Sequence, residues 1–267
     1  MKRYRVTDGK DFTLAKWDPA DTSAFAGGKA DARAELADMT ARLDDLQEKF
    51  YADNRHKLLV VLQGTDTSGK GGAIRKVFEG VNPAGVQVAS FKAPTEAELA
   101  HDFLWRVHPH APANGQIAIF DRSHYEDVLI VRVHNLVPEK RWKARYDHIR
   151  NFEAMLADEG TIIRKFFLNI SKDEQAERLR ARLADPTKHW KFRLADLDER
   201  KLWGDYQDAY EEAIRRTATP EAPWTVVPAN HKWHRDLVIC REIVDTLEGL
   251  DLRYPETEED LSGVVVD

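Results

Sequence analysis

A parallel α/β sheet covered on both faces by helices is the fold class this sequence predicts, and three observations predict it. Short runs rich in apolar residues recur at 57–62, 86–91, 117–120, 162–170 and 224–227. Stretches with apolar residues three or four apart lie between them, the order that parallel neighbours need for their crossover connections. A glycine-rich segment, 64–71, joins the first run to a helical pattern. That is strand, loop, helix.

The helices follow from spacing and caps. Residues 32–51 place Leu36, Met39, Leu43, Leu46 and Phe50 on one face, and a shorter helix is predicted over 73–78. Thr95 and Glu98 form a capping-box pattern that opens a helix through Trp105, and Ser123 opens another. Residues 139–159 carry Trp142, Tyr146, Ile149, Phe152 and Leu156 along one stripe before Gly160. Further helices are predicted over 171–183, 194–216 and 233–247. The 267 residues, 42% hydrophobic and 32% charged, suit one large domain over 1–267. Residues 1–30 read as an N-terminal extension and 253–267 as a loose acidic tail.

Composition narrows the function classes. The longest aliphatic stretch, 58–62, is far too short to span a bilayer, so a cytoplasmic protein without a membrane partner is expected. Cys240 is the single cysteine, which leaves no disulfide and no CxxC pair for zinc. Its default role is a small buried side chain. A net charge of −6 argues against nucleic acid as a whole-surface partner, although an acidic average can hide a local basic groove.

Gly64-Thr65-Asp66-Thr67-Ser68-Gly69-Lys70 fits a phosphate-binding P-loop. In such a loop the backbone amides around Gly64, Thr67, Gly69 and Gly71 wrap a phosphate, and Lys70 meets its outer oxygens. The plain alternative is a glycine-rich turn with an exposed lysine. Two departures matter: the magnesium-holding hydroxyl expected after the lysine is Gly71, and a carboxylate, Asp66, lies inside the loop. A divalent cation between Asp66 and the phosphates would reconcile both, while a local turn bonded to its own backbone is the other reading of Asp66. Asp121 ends the third apolar run, where P-loop enzymes place a second metal ligand. Arg122 reads either as a bidentate phosphate ligand or as a surface ion pair. Glu126 reads either as a side chain near the same site or as the far end of a capping box begun by Ser123.

A basic segment follows. Residues 164–193 carry Arg164, Lys165, Lys172, Arg178, Arg180, Arg182, Lys188, Lys191 and Arg193 against Asp173, Glu174, Glu177 and Asp185. Arg178 and Arg182 share a helix face, and Lys188, Lys191 and Arg193 follow the Asp185-Pro186 break. A solvated helix face is the ordinary meaning of such a run, but a lid over about 178–200 that neutralises phosphates is the sharper one. The surplus is large for one triphosphate and suits a longer anion. Arg75 and Lys76, beyond the P-loop, are further candidates for binding that anion.

The ordered motifs GTDTSGKGG, FDRSHYEDVL, DPTKHWKFRLADLDER and WTVVPANHKWHR resemble polyphosphate kinase family 2, from about residue 30 to 250. An aspartate-bearing P-loop that lacks its hydroxyl is itself a trait of that family. The resemblance implies a three-layer, thymidylate-kinase-like P-loop fold with a five-stranded parallel sheet and a helical lid. It also implies inorganic polyphosphate as donor, adenine nucleotides as acceptors, magnesium with manganese as an alternative, and homodimers or homotetramers. Carried onto matching positions, Asp66 and Asp121 organise metal and phosphates, Lys70 and Arg122 bind phosphate, and Arg178 and Arg182 reach from the lid. The Ser-His-Tyr-Glu-Asp run resembles the subfamily that phosphorylates AMP as well as ADP, in which Glu126 stands where ADP-preferring members have asparagine. An ATP-dependent nucleoside monophosphate kinase and a non-catalytic polyanion or nucleotide sensor are the rival readings.

Overall fold

The computed structural model describes residues 2–257, 259 and 261–266. All but one of the apolar runs become strands buried on both faces, the exception being the edge strand at 86–90, where Gln87, Val88 and Ser90 are exposed. The strands are Arg5–Val6 (β1), Lys57–Gln63 (β2), Val86–Ser90 (β3), Ile117–Asp121 (β4), Thr161–Asn169 (β5) and Trp224–Pro228 (β6). They form one six-stranded sheet in the order β1-β6-β5-β2-β4-β3. The pairs β6–β5, β5–β2, β2–β4 and β4–β3 are parallel, which accounts for every expected strand.

The expected five-stranded parallel sheet needs one correction: β1 adds a sixth strand, antiparallel to β6, pairing Arg5 with Thr225 and Val6 with Trp224. A two-residue strand has no period to detect, which is why the N-terminal stretch reads as featureless.

The helices are Lys29–Asp53 (α1), Lys70–Val77 (α2), Glu96–Leu99 (α3), Ile130–Val133 (α4), Glu139–Asp158 (α5), Lys172–Leu183 (α6), Ala195–Lys201 (α7), Trp203–Thr217 (α8) and Lys232–Glu248 (α9). Alternation along the strands sends side chains to two cores. Leu59, Val61, Phe120, Ile163 and Phe167 meet the α5 stripe of Trp142, Tyr146, Ile149, Phe152 and Leu156, together with Tyr210 and Ile214 of α8. Leu58, Val60, Leu62, Ile119 and Phe166 meet Leu43 and Phe50 of α1, Ala73 and Val77 of α2, and Leu237 and Ile243 of α9. Cys240 is buried in that second core. The result is three layers, helices on each side of the sheet. No helix among the described residues is long and apolar enough to cross a membrane.

Two helix boundaries differ from expectation. The Thr95 capping box forms, but α3 ends at Leu99, because the Asp102 carboxylate accepts the Leu104 and Trp105 amides at 2.9 and 3.1 Å and starts a separate turn. The helix expected over 194–216 divides into α7 and α8 at Leu202. The Tyr206 hydroxyl reaches back across that joint to Glu199 at 2.6 Å.

The α5 stripe supplies a test of the packing. Ile149 is fully buried, so Ile149→Ala should lower stability by about 2–5 kcal/mol in urea unfolding. Arg150, exposed on the opposite face, should change it by no more than about 0.5 kcal/mol when replaced by Ala.

Candidate active site

Between the end of β2 and the start of α2 the chain turns through Gly64 to Gly69, so the amides that open α2 and the positive end of its dipole face the C-terminal edge of the sheet. Gly69 caps α2 at φ +98°, and a Cβ there would lie 2.1 Å from Nη1 of Arg235. Only glycine satisfies both the backbone angle and the close approach. The Ser68 amide donates to the Thr65 carbonyl at 3.1 Å, which closes the turn. The hydroxyls of Thr65, Thr67 and Ser68 are buried without a partner among the described residues, and Thr67 takes a left-handed φ of +64°. Unpaired buried donors and backbone strain in one loop are features of a ligand cradle.

Lys70 bends into this concavity, its ammonium donating to the Gly64 carbonyl at 2.7 Å. Burial lowers its pKa and the neighbouring Arg122 adds to that, while Asp66, Asp121 and Glu126 act the other way. One lysine, one arginine and three carboxylates therefore share a single electrostatic site. The reading of residues 64–70 as a turn with an exposed lysine does not hold.

Asp121 arrives on β4, the strand next to β2, in register with Leu62. A Cβ on Gly71 would stand 3.8 Å from its Oδ2. The space a P-loop hydroxyl would occupy thus opens directly onto the Asp121 carboxylate. Arg122 follows at φ +63°, its amide donating to the Leu62 carbonyl at 3.1 Å, so the chain folds back over the end of β2. Its Nη2 reaches Oδ1 of Asp66 at 3.2 Å. Arg122 is ion-paired, as one of its two readings held, but with a carboxylate of the phosphate loop itself. Asp66 has that partner in place of the local turn bond expected of the alternative. Its carbonyl accepts from Gln175 at 3.1 Å, which ties the loop to α6.

The capping box expected at Ser123 is not formed reciprocally, because the Ser123 hydroxyl accepts the Tyr125 amide at 3.1 Å. Residues 124–128 make a tight 3-10 turn, and the Glu126 carboxyl, hydrogen-bonded to the Gln63 side chain, lies within electrostatic reach of Arg122 and Lys70. Burial raises its pKa, opposed by Arg122 and Lys70.

The basic segment divides more sharply than its composition implies. Arg164 and Lys165 leave the groove altogether: Arg164 Nε donates to Thr246 at 2.9 Å, and Lys165 lies in the core, 1% exposed, with its ammonium 2.6 Å from Glu153. Neighbours on a strand point to opposite faces, and both faces of β5 are covered. Arg178 and Arg182 also part company. Arg178 lies behind the phosphate loop, donating to the carbonyls of Thr67 and Ser68, each at 2.9 Å, to Ala229 at 2.6 Å and to Glu174 at 2.6 Å. Arg182 instead reaches the Lys191 carbonyl at 3.2 Å and the Asp196 carboxylate at 4.0 Å, both within the segment over 185–200. Lys188, Lys191 and Arg193 are exposed; Lys188 pairs with Asp185 at 2.6 Å and Lys191 lies over the Trp190 ring. Arg75 and Lys76 are exposed on the last turn of α2, Lys76 paired with Glu79.

One residue of the site escapes sequence reasoning. Arg235, 3% exposed and paired with Asp236 at 2.6 Å, packs against Gly69 beside Arg178. An arginine in a helix 165 positions beyond Lys70 has no spacing signal that ties it to the loop, so only the fold brings the two together.

Comparison with known proteins fixes its family. The sequence model described as Polyphosphate kinase 2 (PPK2) matches residues 27–255. The chain is 57% identical over 267 residues to an AMP/ADP-polyphosphate phosphotransferase of Meiothermus ruber, with all of both chains covered. It is 45% identical to an ADP-polyphosphate phosphotransferase of Rhodopseudomonas palustris, covering 96% of this chain and 92% of that one. The crystal structure of polyphosphate kinase 2 from Arthrobacter aurescens TC1 superposes with a TM-score of 0.94 at 48% identity, covering 97% of this chain and 93% of that one. On these matches the chain is a phosphotransferase and belongs to the polyphosphate kinase 2 family.

Proposed function

We propose that this enzyme transfers the terminal phosphoryl group of inorganic polyphosphate to AMP and ADP, giving ADP and ATP. The observation that carries the reading is the convergence of Lys70, Arg122, Asp66, Asp121 and Glu126 at the mouth of one phosphate loop. In the reaction the bond from the terminal phosphorus to its bridging oxygen breaks, and a bond to an oxygen of the nucleotide phosphate forms. The donor chain shortens by one phosphate. A nucleotide phosphate is already largely ionised near neutrality, its second pKa being about 6, so no general base is needed. The protein's work is to position two anions and stabilise charge on the transferred group.

Lys70 and Arg122 are the cations placed for that group, and the amides of 64–71 wrap its neighbours. The carboxylates fit a hard divalent cation, for which magnesium, or manganese in its place, is the natural choice. Gly71 leaves open the space beside Asp121, and magnesium needs only one or two carboxylates beside phosphate oxygens and water. Asp66 and Asp121 would hold it, and it would neutralise and align the phosphates. Arg178 acts in this reading by holding the rear of the loop, and Arg182 by ordering the lid. The exposed Lys188, Lys191 and Arg193, with Arg75 and Lys76, are placed to grip phosphates further along the donor. We assign the enzyme to the cytoplasm, as a homodimer or homotetramer.

Formation of ADP from AMP and of ATP from ADP, with magnesium and polyphosphate, set against ADP formation from AMP and ATP, tests the reading directly. Polyphosphate should be the better donor, and a better rate with ATP would make the chain a monophosphate kinase. Lys70→Ala should reduce kcat by about 10²–10³ with the fold intact by circular dichroism. Near-normal turnover would remove the cradle from the mechanism.

Acceptor choice gives a second measurement. AMP is one phosphate shorter than ADP, so the Glu126 carboxylate is placed to hold water or a hydrated cation where that phosphate is missing. Loss of one charge-assisted contact, about 1.5–3 kcal/mol, makes Glu126→Asn some 10- to 100-fold poorer in kcat/KM for AMP, with a smaller loss for ADP. Equal losses for both acceptors would assign Glu126 a structural role alone.

A further inference from the structure

The turn over 122–127 presents Arg122 and Glu126 to the phosphate loop, yet it has little helix of its own: a 3-10 turn over 124–128, then the single turn of α4. It also begins with Arg122 in a left-handed conformation. A strained turn keeps its shape only when its surroundings hold it. Helix α5 holds this one from two points. Arg145 Nη1 donates to the Asp127 carboxylate at 2.8 Å and to its carbonyl at 3.1 Å. About two turns further along, the Glu153 carboxylate, 2% exposed, lies 2.8 Å from the Tyr125 hydroxyl and 3.2 Å from Nε2 of His124.

Lys165 closes the cluster from β5, its ammonium donating to Glu153 at 2.6 Å and to the Tyr125 hydroxyl and the Thr217 carbonyl, each at 2.9 Å. Ser123, between Arg122 and His124, takes the Gln63 side-chain amide at 3.1 Å, which joins the turn to the strand that leads into the phosphate loop. Burial opposes the charge on both Lys165 and Glu153, and the ammonium holds the Glu153 carboxyl below its usual range. Nothing in phosphoryl transfer requires these groups to react. Stability does not require them either, since a buried ion pair is often replaced by apolar side chains of equal volume at no cost. What apolar packing lacks is direction.

We infer that Glu153 is a positioning residue for phosphoryl transfer, acting through Tyr125 and His124 to set the turn that places Arg122 and Glu126 against the phosphate loop. The inference rests on the reading of that turn as part of the transfer site. It makes α5 the template of the turn, with Arg145 and Glu153 as its two fixed points.

The test uses Tyr125→Phe, which keeps the ring and the Lys165–Glu153 pair but removes the hydroxyl, the shorter of the two links from Glu153 to the turn, leaving that through His124. Wild type is assayed first with polyphosphate and with ATP, and the variant is compared on whichever donor works. A wrong assignment of the donor is thereby separated from a failure of the positioning role. The expected result is a fall in kcat on the order of tenfold, with the KM for long donor chains nearly unchanged and folding retained. In a Glu126→Gln background the same exchange should cost much less, because the two changes act on one path. Glu153→Gln combined with Lys165→Met removes both charges together and should reproduce the kcat loss if Tyr125→Phe folds poorly. An unchanged kcat per folded molecule in both variants, or losses that multiply independently of Glu126, would overturn the inference.

Discussion

The parallel register of β2 and β4 is the constraint on which the site depends. With Leu62 opposite Asp121, the phosphate loop leaves one strand where the acidic residue ends its neighbour. Side chains on a strand alternate, so a slip of one residue would turn Asp121 away from Gly71 and bury Arg122 among apolar groups. The register is secured by burial: Leu58, Leu59, Val60 and Val61 are wholly inaccessible, as are Ile117, Ile119 and Phe120. Apolar packing on both faces thus fixes the separation of the polar groups at one end.

Positive charge behind the phosphate loop follows a different logic from charge in front of it. Arg178 takes the carbonyls of Thr67 and Ser68, and Arg235 packs against Gly69. Once the rear carbonyls are held there, the loop's amides are left to the open side, where an anion meets them. Lys70 and Arg122 supply charge at the front, each hydrogen-bonded to a carboxylate or carbonyl of the same loop. Both guanidiniums at the rear are nearly inaccessible, so their contribution to anion binding is a fixed field that solvent screens little.

Much of this was legible from residue order alone. All of the long strands, the phosphate loop, Asp121 and the apolar stripe of α5 announce themselves through local pattern, because each depends on neighbours a few positions away. The signals fail where the controlling contact is distant. Lys165 and Arg164 look like groove residues by composition, but alternation along β5 carries Lys165 into the core and turns part-buried Arg164 to Thr246 on the other face. Arg178 and Arg182 share a helix face and yet differ in role, because the phosphate loop lies against one and not the other. Arg235 is found only when α9 is seen beside α2. The split between α7 and α8 has no proline to mark it.

The antiparallel edge strand has a consequence for the order of events on the ribosome. Arg5 and Val6 belong to the first strand in chain order, and their partners Thr225 and Trp224 to the sixth. Until β6 has emerged, β1 has no strand to pair with, and the far edge of β5 stays uncovered as well. Contacts between distant parts of a chain form late because the intervening loop must be closed first. The nascent chain therefore carries an open sheet edge until β6 emerges, and β1, made before the other five strands, is paired only with the last of them.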